Sequence, residues 1–170
     1  MKISIIGPMA AGKTTFGKRL AQHLGYAFHD TDQLIEKQRN LSITDIFSLH
    51  GELYFRALET EVLKNLLASN DKMIIATGGG VVTLPENCHH LKQHSKVIFL
   101  DISIPEQLER TKGDSTRPLL KTPDLTEKLH HLRKMRLPLY HDTASVYLNV
   151  EGLSPETVLE KGLAKLSRIR

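Results

Sequence analysis

The sequence predicts an α/β protein, a three-layer α/β/α sandwich built on a parallel sheet. Three observations carry this. Short apolar runs recur at Ile3 to Ile6, Met73 to Ala76, Val97 to Leu100 and Val146 to Val150, each bounded by turn-forming or polar residues. The segments between them have helical periodicity, the alternation of a sheet whose strands are joined by crossover helices. Finally, 170 residues with 40% hydrophobic side chains suffice for one sizeable core and not for two ordinary domains. No repeat, low-complexity tract or linker divides the chain, so residues 1–170 are read as one domain.

Taken in order, the run at Ile3 to Ile6 is a first strand. The helix after Gly12 places Phe16, Leu20 and Leu24 at i, i+4 and i+8, one buried face, and should stop at Gly25. A short second strand ends near FHDTD. Leu41 to Gly51 reads as a short helix capped by Ser42, and Glu52 to Ser69 as a longer one with Phe55, Leu58, Val62 and Leu66 inward. Residues 112–124 combine Gly, Asp, Ser, Thr and two prolines without periodicity and are read as a lid loop. Helical pattern resumes from about Thr126 to Tyr140.

Composition narrows the function. Net charge is only +4 and the basic residues are spread along the chain, which suits small anionic ligands. Aromatics make up 5% and do not interleave with basic residues, so the stacking platforms of a single-strand binder are missing and no nucleic-acid partner is expected. Cys88 is the only cysteine, which rules out an intramolecular disulfide. With no membrane-length apolar run, and Met1 leading straight into strand-like sequence, a cytoplasmic location with no membrane partner is expected, and a monomer is the default. The paired histidines His89–His90 and His130–His131 are adjacent in sequence, not spaced as helical metal ligands, and read as surface.

The strongest motif is GPMAAGKT, Gly7 to Thr14, matching G-x-x-x-x-G-K-[ST] between a strand and an amphipathic helix. Its phosphate loop spans residues 7–15. Backbone N–H groups around Ala10, Ala11 and Gly12, with the helix dipole behind them, surround a β-phosphate. Lys13 reaches the β- and γ-phosphates, Thr14 offers a hydroxyl to magnesium, and Thr15 adds a phosphate hydrogen bond. The motif points to ATP with Mg2+ and does not name the reaction.

Asp30 and Asp32 lie two apart at the carboxyl end of the second strand, so extended backbone would aim both the same way, at the edge where α/β sheets bind ligands. One could hold magnesium through water while the other orients the attacking hydroxyl; equally, Asp32 could simply cap the next helix. Asp101, closing VIFLD, resembles a metal-binding acid after an apolar strand, yet Ser103 and Pro105 behind it favour a turn or helix-start role. Arg56 and Glu59, three apart on a helix, could be an ordinary surface pair. Gly78, Gly79 and Gly80 form a run after the third strand where bare backbone can approach a ligand. Arg117 in the lid and Arg136, at the end of the last long helix, could each be a solvated arginine.

Together, GPMAAGKTT, DTD with Gln33-Leu34-Ile35-Glu36, GELYFRALE, ATGGGVV, RPLL and RLPLY occur in an order and spacing that resembles the shikimate kinase family over nearly the whole chain. The resemblance implies a five-stranded parallel sheet as in nucleoside monophosphate kinases, a helical substrate-binding region at about 31–60, and a closing lid. It implies phosphoryl transfer from ATP to the 3-hydroxyl of shikimate, within aromatic amino-acid biosynthesis. Asp32 would then be the base or orienter and Asp30 would support magnesium through water. Arg56, fixed by Glu59, and Arg136 would hold the shikimate carboxylate, since planar guanidinium makes paired hydrogen bonds that lysine cannot. Gly78 to Gly80 would meet the ring hydroxyls. Arg117 would swing in to stabilise the transferring phosphoryl group. Arg110 and the loop near Ser154 and Pro155 would lie on the adenine side. One departure is Ala10, where relatives commonly carry glycine; alanine resists positive φ and is expected to shift nucleotide affinity. Two other readings compete: a sibling kinase acting on gluconate or a nucleoside monophosphate, and a regulatory protein that binds nucleotide without turnover.

Overall fold

The computed structural model describes residues 1–112 and 124–169. Five strands, β1 (Lys2–Ile6), β2 (Ala27–Asp30), β3 (Met73–Ala76), β4 (Lys96–Asp101) and β5 (Val146–Asn149), form one parallel sheet in the order β2-β3-β1-β4-β5. Because β1 lies between β3 and β4, the chain leaves it to either side. The crevice beyond its carboxyl end is the place where such sheets bind ligands.

Strand pleating sorts the apolar residues to two faces. Ile3, Ile5, Ile74, Ile98 and Leu100 pack on one side against Phe16, Leu20 and Ala21 of α1 (Lys13–Leu24) and Val158 of α8 (Pro155–Leu166). On the other side, Ile6, Met73, Ile75, Val97 and Phe99 meet Leu63 and Leu67 of α4 (Glu52–Ala68), Leu91 of α5 (Pro85–His94) and Tyr140 of α7 (Leu125–Thr143). The expected stop of α1 is present: Gly25 is left-handed, φ 67°, and its N–H bonds to the Ala21 carbonyl. A third apolar cluster, Ile35, Ile46, Phe55, Leu58 and Val62, joins α2 (Thr31–Arg39) and α3 (Ile43–His50) to α4, with Ser42 capping α3 as expected. No helix among the described residues is long and apolar enough to cross a membrane.

Three expectations need correction. First, Asp32 is not on extended backbone with Asp30: β2 ends at Asp30, and Asp32 lies in the first turn of α2. Asp30, not Asp32, is the cap, accepting the Asp32 and Gln33 amide N–H groups on Oδ1. Second, Arg136 is not at the helix end: α7 runs through it to Thr143, three residues past the expected Tyr140, with Pro138 inside it. Proline removes the hydrogen bond to the carbonyl four residues back, and both Pro138 and Lys134 are exposed, so water can serve that carbonyl. Third, Asp101 starts no helix; Ser103 caps α6 (Ile104–Thr111).

Asp101 is buried and forked with Arg133 of α7, at 2.9 and 3.2 Å, and it accepts the Tyr147 hydroxyl at 3.1 Å. These bonds hold the Arg133 guanidinium above its ordinary pKa and tie α7 to the sheet edge. Asp101→Asn should destabilise the protein by about 1–3 kcal/mol in urea denaturation, less than a fully buried pair because Arg133 is part-exposed. ATP-dependent turnover should stay within about threefold; a hundredfold loss would make Asp101 part of the chemistry.

Candidate active site

The phosphate loop leaves β1 at Gly7, where φ is 146° and a Cβ would lie 2.1 Å from the Leu100 carbonyl oxygen, so only glycine fits. The loop turns through Ala10 at φ 66° and Gly12 at φ 86° into α1. Ala10 thus adopts the left-handed backbone that its side chain disfavours. Its surroundings enforce this: Gln107 donates from Nε2 to the Met9 carbonyl at 3.0 Å, and Arg110 donates from Nη1 to the Ala10 carbonyl at 3.0 Å. Arg110 is itself steadied by Glu106 at 2.7 Å. Ala11 and Lys13 are buried, Thr15 exposed, and Lys13 Nζ donates to the Gly7 and Pro8 carbonyls, each at 2.8 Å. Pro155 opens α8 behind its Ser154 cap, on the same side of the sheet as α1, and Glu156 beside it pairs with Arg19.

Thr14 Oγ1 donates to Asp30 Oδ2 at 2.7 Å. A hydroxyl oxygen and a carboxylate therefore stand together at the entrance to α1, a hard-oxygen pair of the type that suits magnesium beside phosphates. Asp30 faces the loop with one oxygen while capping α2 with the other.

On the opposite flank, the glycine run packs directly on the charged residues. A Cβ on Gly80 would lie 2.2 Å from Arg56 Nη2, one on Gly78 2.7 Å from Glu59 Oε2 and 3.1 Å from Asp32 Oδ1, and one on Gly79 3.7 Å from Arg136 Nη1. Gly78 and Gly80 lack room for a side chain, whereas a Cβ on Gly79 would make ordinary contacts, and none of the three needs positive φ. The run brings Asp32, Arg56, Glu59 and Arg136 to one place from three helices. The Arg56–Glu59 pair is not on the surface: Arg56 is 7% exposed and Glu59 0%, with 2.9 Å between them, and Glu52 adds a 3.3 Å contact. A surface pair was expected because the helical pattern alone does not show that β3 and its glycines cover this face. Burial pushes the Glu59 carboxyl above its ordinary 4.5, although Arg56, and more weakly Arg136, pull it down. Arg136 is likewise buried. Arg117 lies outside the described residues.

Sequence reasoning missed Gln107, buried and bonded to the loop, and Tyr140, whose hydroxyl donates to the Gly79 carbonyl. The available signals were spacings: Gln107 is three residues before Arg110 and Tyr140 four after Arg136, each pair sharing a helix face.

A left-handed alanine costs ~1–2 kcal/mol, of which glycine returns part to unfolded-chain entropy. Ala10→Gly should therefore raise stability by about 0.5–1 kcal/mol in urea denaturation; a loss would mean that the methyl group packs favourably. For Glu59, the folded pKa exceeds the unfolded one, so folding takes up a proton there. Its contribution to stability is full below the ordinary 4.5 and is lost as pH rises through the raised folded value. Glu59→Gln should flatten that decline in a profile of Tm against pH. An unchanged profile would show that the carboxyl is not the titrating group.

A family model described as shikimate kinase matches residues 9–167. The chain is 41% identical over 159 residues to a shikimate kinase of Francisella tularensis subsp. holarctica, covering 94% of this chain and 90% of that one. It is 42% identical over 151 residues to a shikimate kinase of Xanthomonas campestris pv. campestris, covering 89% and 83%. Among solved structures, a shikimate kinase of Acinetobacter baumannii in complex with shikimate superposes with TM-score 0.95 at 37% identity, over 99% of this chain and 94% of that one. With a phosphate loop, a glycine run and two buried arginines arranged on this sheet, the chain belongs to the shikimate kinase family.

Proposed function

We propose that this ATP-dependent kinase transfers the γ-phosphoryl group to the 3-hydroxyl of shikimate, giving shikimate 3-phosphate and ADP, with the residues above in defined roles. The observation that carries the reading is the convergence of Asp32, Arg56, Glu59 and Arg136 on Gly78 to Gly80, beside the phosphate loop. A carboxylate acceptor can take paired, charge-assisted hydrogen bonds from two guanidiniums, which a neutral sugar cannot.

On the donor side, the loop amides and the positive end of α1 bind the phosphates, and Lys13 exchanges its loop carbonyls for phosphate oxygens. Arg110 and the chain at Pro155 flank the adenine. Thr14 and, through water, Asp30 would hold Mg2+, which when bound offsets phosphate charge. On the acceptor side, Arg56 and Arg136 grip the carboxylate, Glu59 keeps Arg56 in place, and the glycine backbone meets the ring hydroxyls. Asp32 accepts the hydrogen bond of the attacking hydroxyl and takes its proton as the new O–P bond forms. Arg117 is assigned to the charge on the transferring group. Most of the acceleration is positioning and charge stabilisation. We place the enzyme in the cytoplasm as a monomer.

ADP release should be followed with magnesium and ATP, comparing shikimate, gluconate and nucleoside monophosphates. Shikimate alone should stimulate it, and Asp32→Asn should lower kcat by about 10²–10⁴ with a smaller change in KM. Stimulation by another acceptor only would overturn the substrate, and full activity in the variant would remove Asp32 from the chemistry.

A further inference from the structure

Tyr140 belongs to neither set of ligand-binding residues, yet it touches the glycine run through its hydroxyl. Its ring is 3% exposed and stacks on Phe99 of β4, centroids 4.9 Å apart and planes at 28°. A packing role would need no hydroxyl at this position. The hydroxyl is nonetheless there, donating to the Gly79 carbonyl, and Arg136, one turn earlier on α7, brings Nη1 to 3.7 Å from where a Gly79 Cβ would lie. Burial pushes the Tyr140 pKa up to about 12, Arg136 opposing, so the hydroxyl remains a proton donor wherever the enzyme works.

Gly79 is the contact between donor and acceptor sides. A Cβ there would meet the Met9 nitrogen at 3.4 Å and the Gly7 oxygen at 3.6 Å on the phosphate loop, and Arg136 at 3.7 Å on the other side. The Gly79 carbonyl and the Gly80 N–H belong to one rigid trans peptide and point in opposite directions. Holding the carbonyl against α7 therefore turns the Gly80 N–H away from α7. Glycine backbone, with no side chain to limit its rotation, needs such an outside hold to keep one orientation.

We propose that Tyr140 is a positioning residue for the acceptor: one hydroxyl fixes the Gly79–Gly80 peptide plane and the Arg136 guanidinium relative to each other. The inference rests on the acceptor pocket proposed above. It assigns the hydroxyl to substrate geometry and the ring to stability.

Tyr140→Phe keeps the ring and removes only the hydroxyl, so the two roles separate. KM for shikimate should rise about 5–10-fold, the loss of one buried hydrogen bond with its partner left behind, while kcat and KM for ATP change by less than about twofold. An unchanged shikimate KM, or an equal rise in KM for ATP, would overturn the proposal and leave Tyr140 as packing. Arg136→Lys is the reference. It should raise the shikimate KM by about 100-fold or more. If it does and Tyr140→Phe does not, the positioning role alone is refuted; if Arg136→Lys has no effect, the acceptor pocket is elsewhere and the proposal falls with it.

Discussion

A guanidinium and a carboxylate buried together beneath the backbone of a glycine run set the terms for the proposed acceptor side of this protein. Taking Arg56 and Glu59 out of water costs several kcal/mol per ion before their attraction is counted, and the pair survives only where geometry and further hydrogen bonds are good. The protein meets this with a 2.9 Å contact one helical turn long, a second carboxylate at Glu52, and Gly80, whose missing side chain makes room for the guanidinium. Residues of α4 on the next face pack into the apolar cluster with α2 and α3, so the pair cannot rotate into solvent without unpacking that cluster.

The phosphate loop is held in a comparable way, by bonds from outside itself. Gln107 and Arg110, one turn apart on α6, grip successive carbonyls, and a left-handed alanine is tolerated between them. Its strain is local and is balanced by bonds to a helix that packs through Ile104 against Met9 and Leu129. The phosphate loop and the glycine run meet at Gly79, where a Cβ would lie 3.4 Å from the Met9 nitrogen and 3.7 Å from Arg136.

Much of this was legible in the sequence. Apolar runs located the strands, the glycine–lysine motif located the phosphate loop, and the order of short motifs pointed to the family. What the pattern could not reveal depends on single residues or on tertiary cover. At the β2–α2 junction, a strand end two positions earlier than expected moves Asp32 from strand to helix and hands the cap to Asp30. The helix read to Tyr140 does pass through Pro138, and it ends three residues later at Thr143, a boundary that periodicity does not fix. Arg56 looks like a surface residue until the glycine run is folded over it. Tyr140 is one more buried aromatic in sequence, and its hydroxyl acquires a role only when Gly79 arrives from 61 residues away.

The forked use of Asp30 also has a thermodynamic side. Its Oδ2 answers to Thr14 at the start of α1, and its Oδ1 anchors the first amides of α2, the turn that carries Asp32. Anything that orders this carboxylate from the phosphate-loop side also suppresses fraying of that turn, and so lowers the entropy still to be lost in fixing Asp32. Linkage makes any such coupling reciprocal: whatever ordering of this turn one side contributes to the other's binding, it receives back by the same factor.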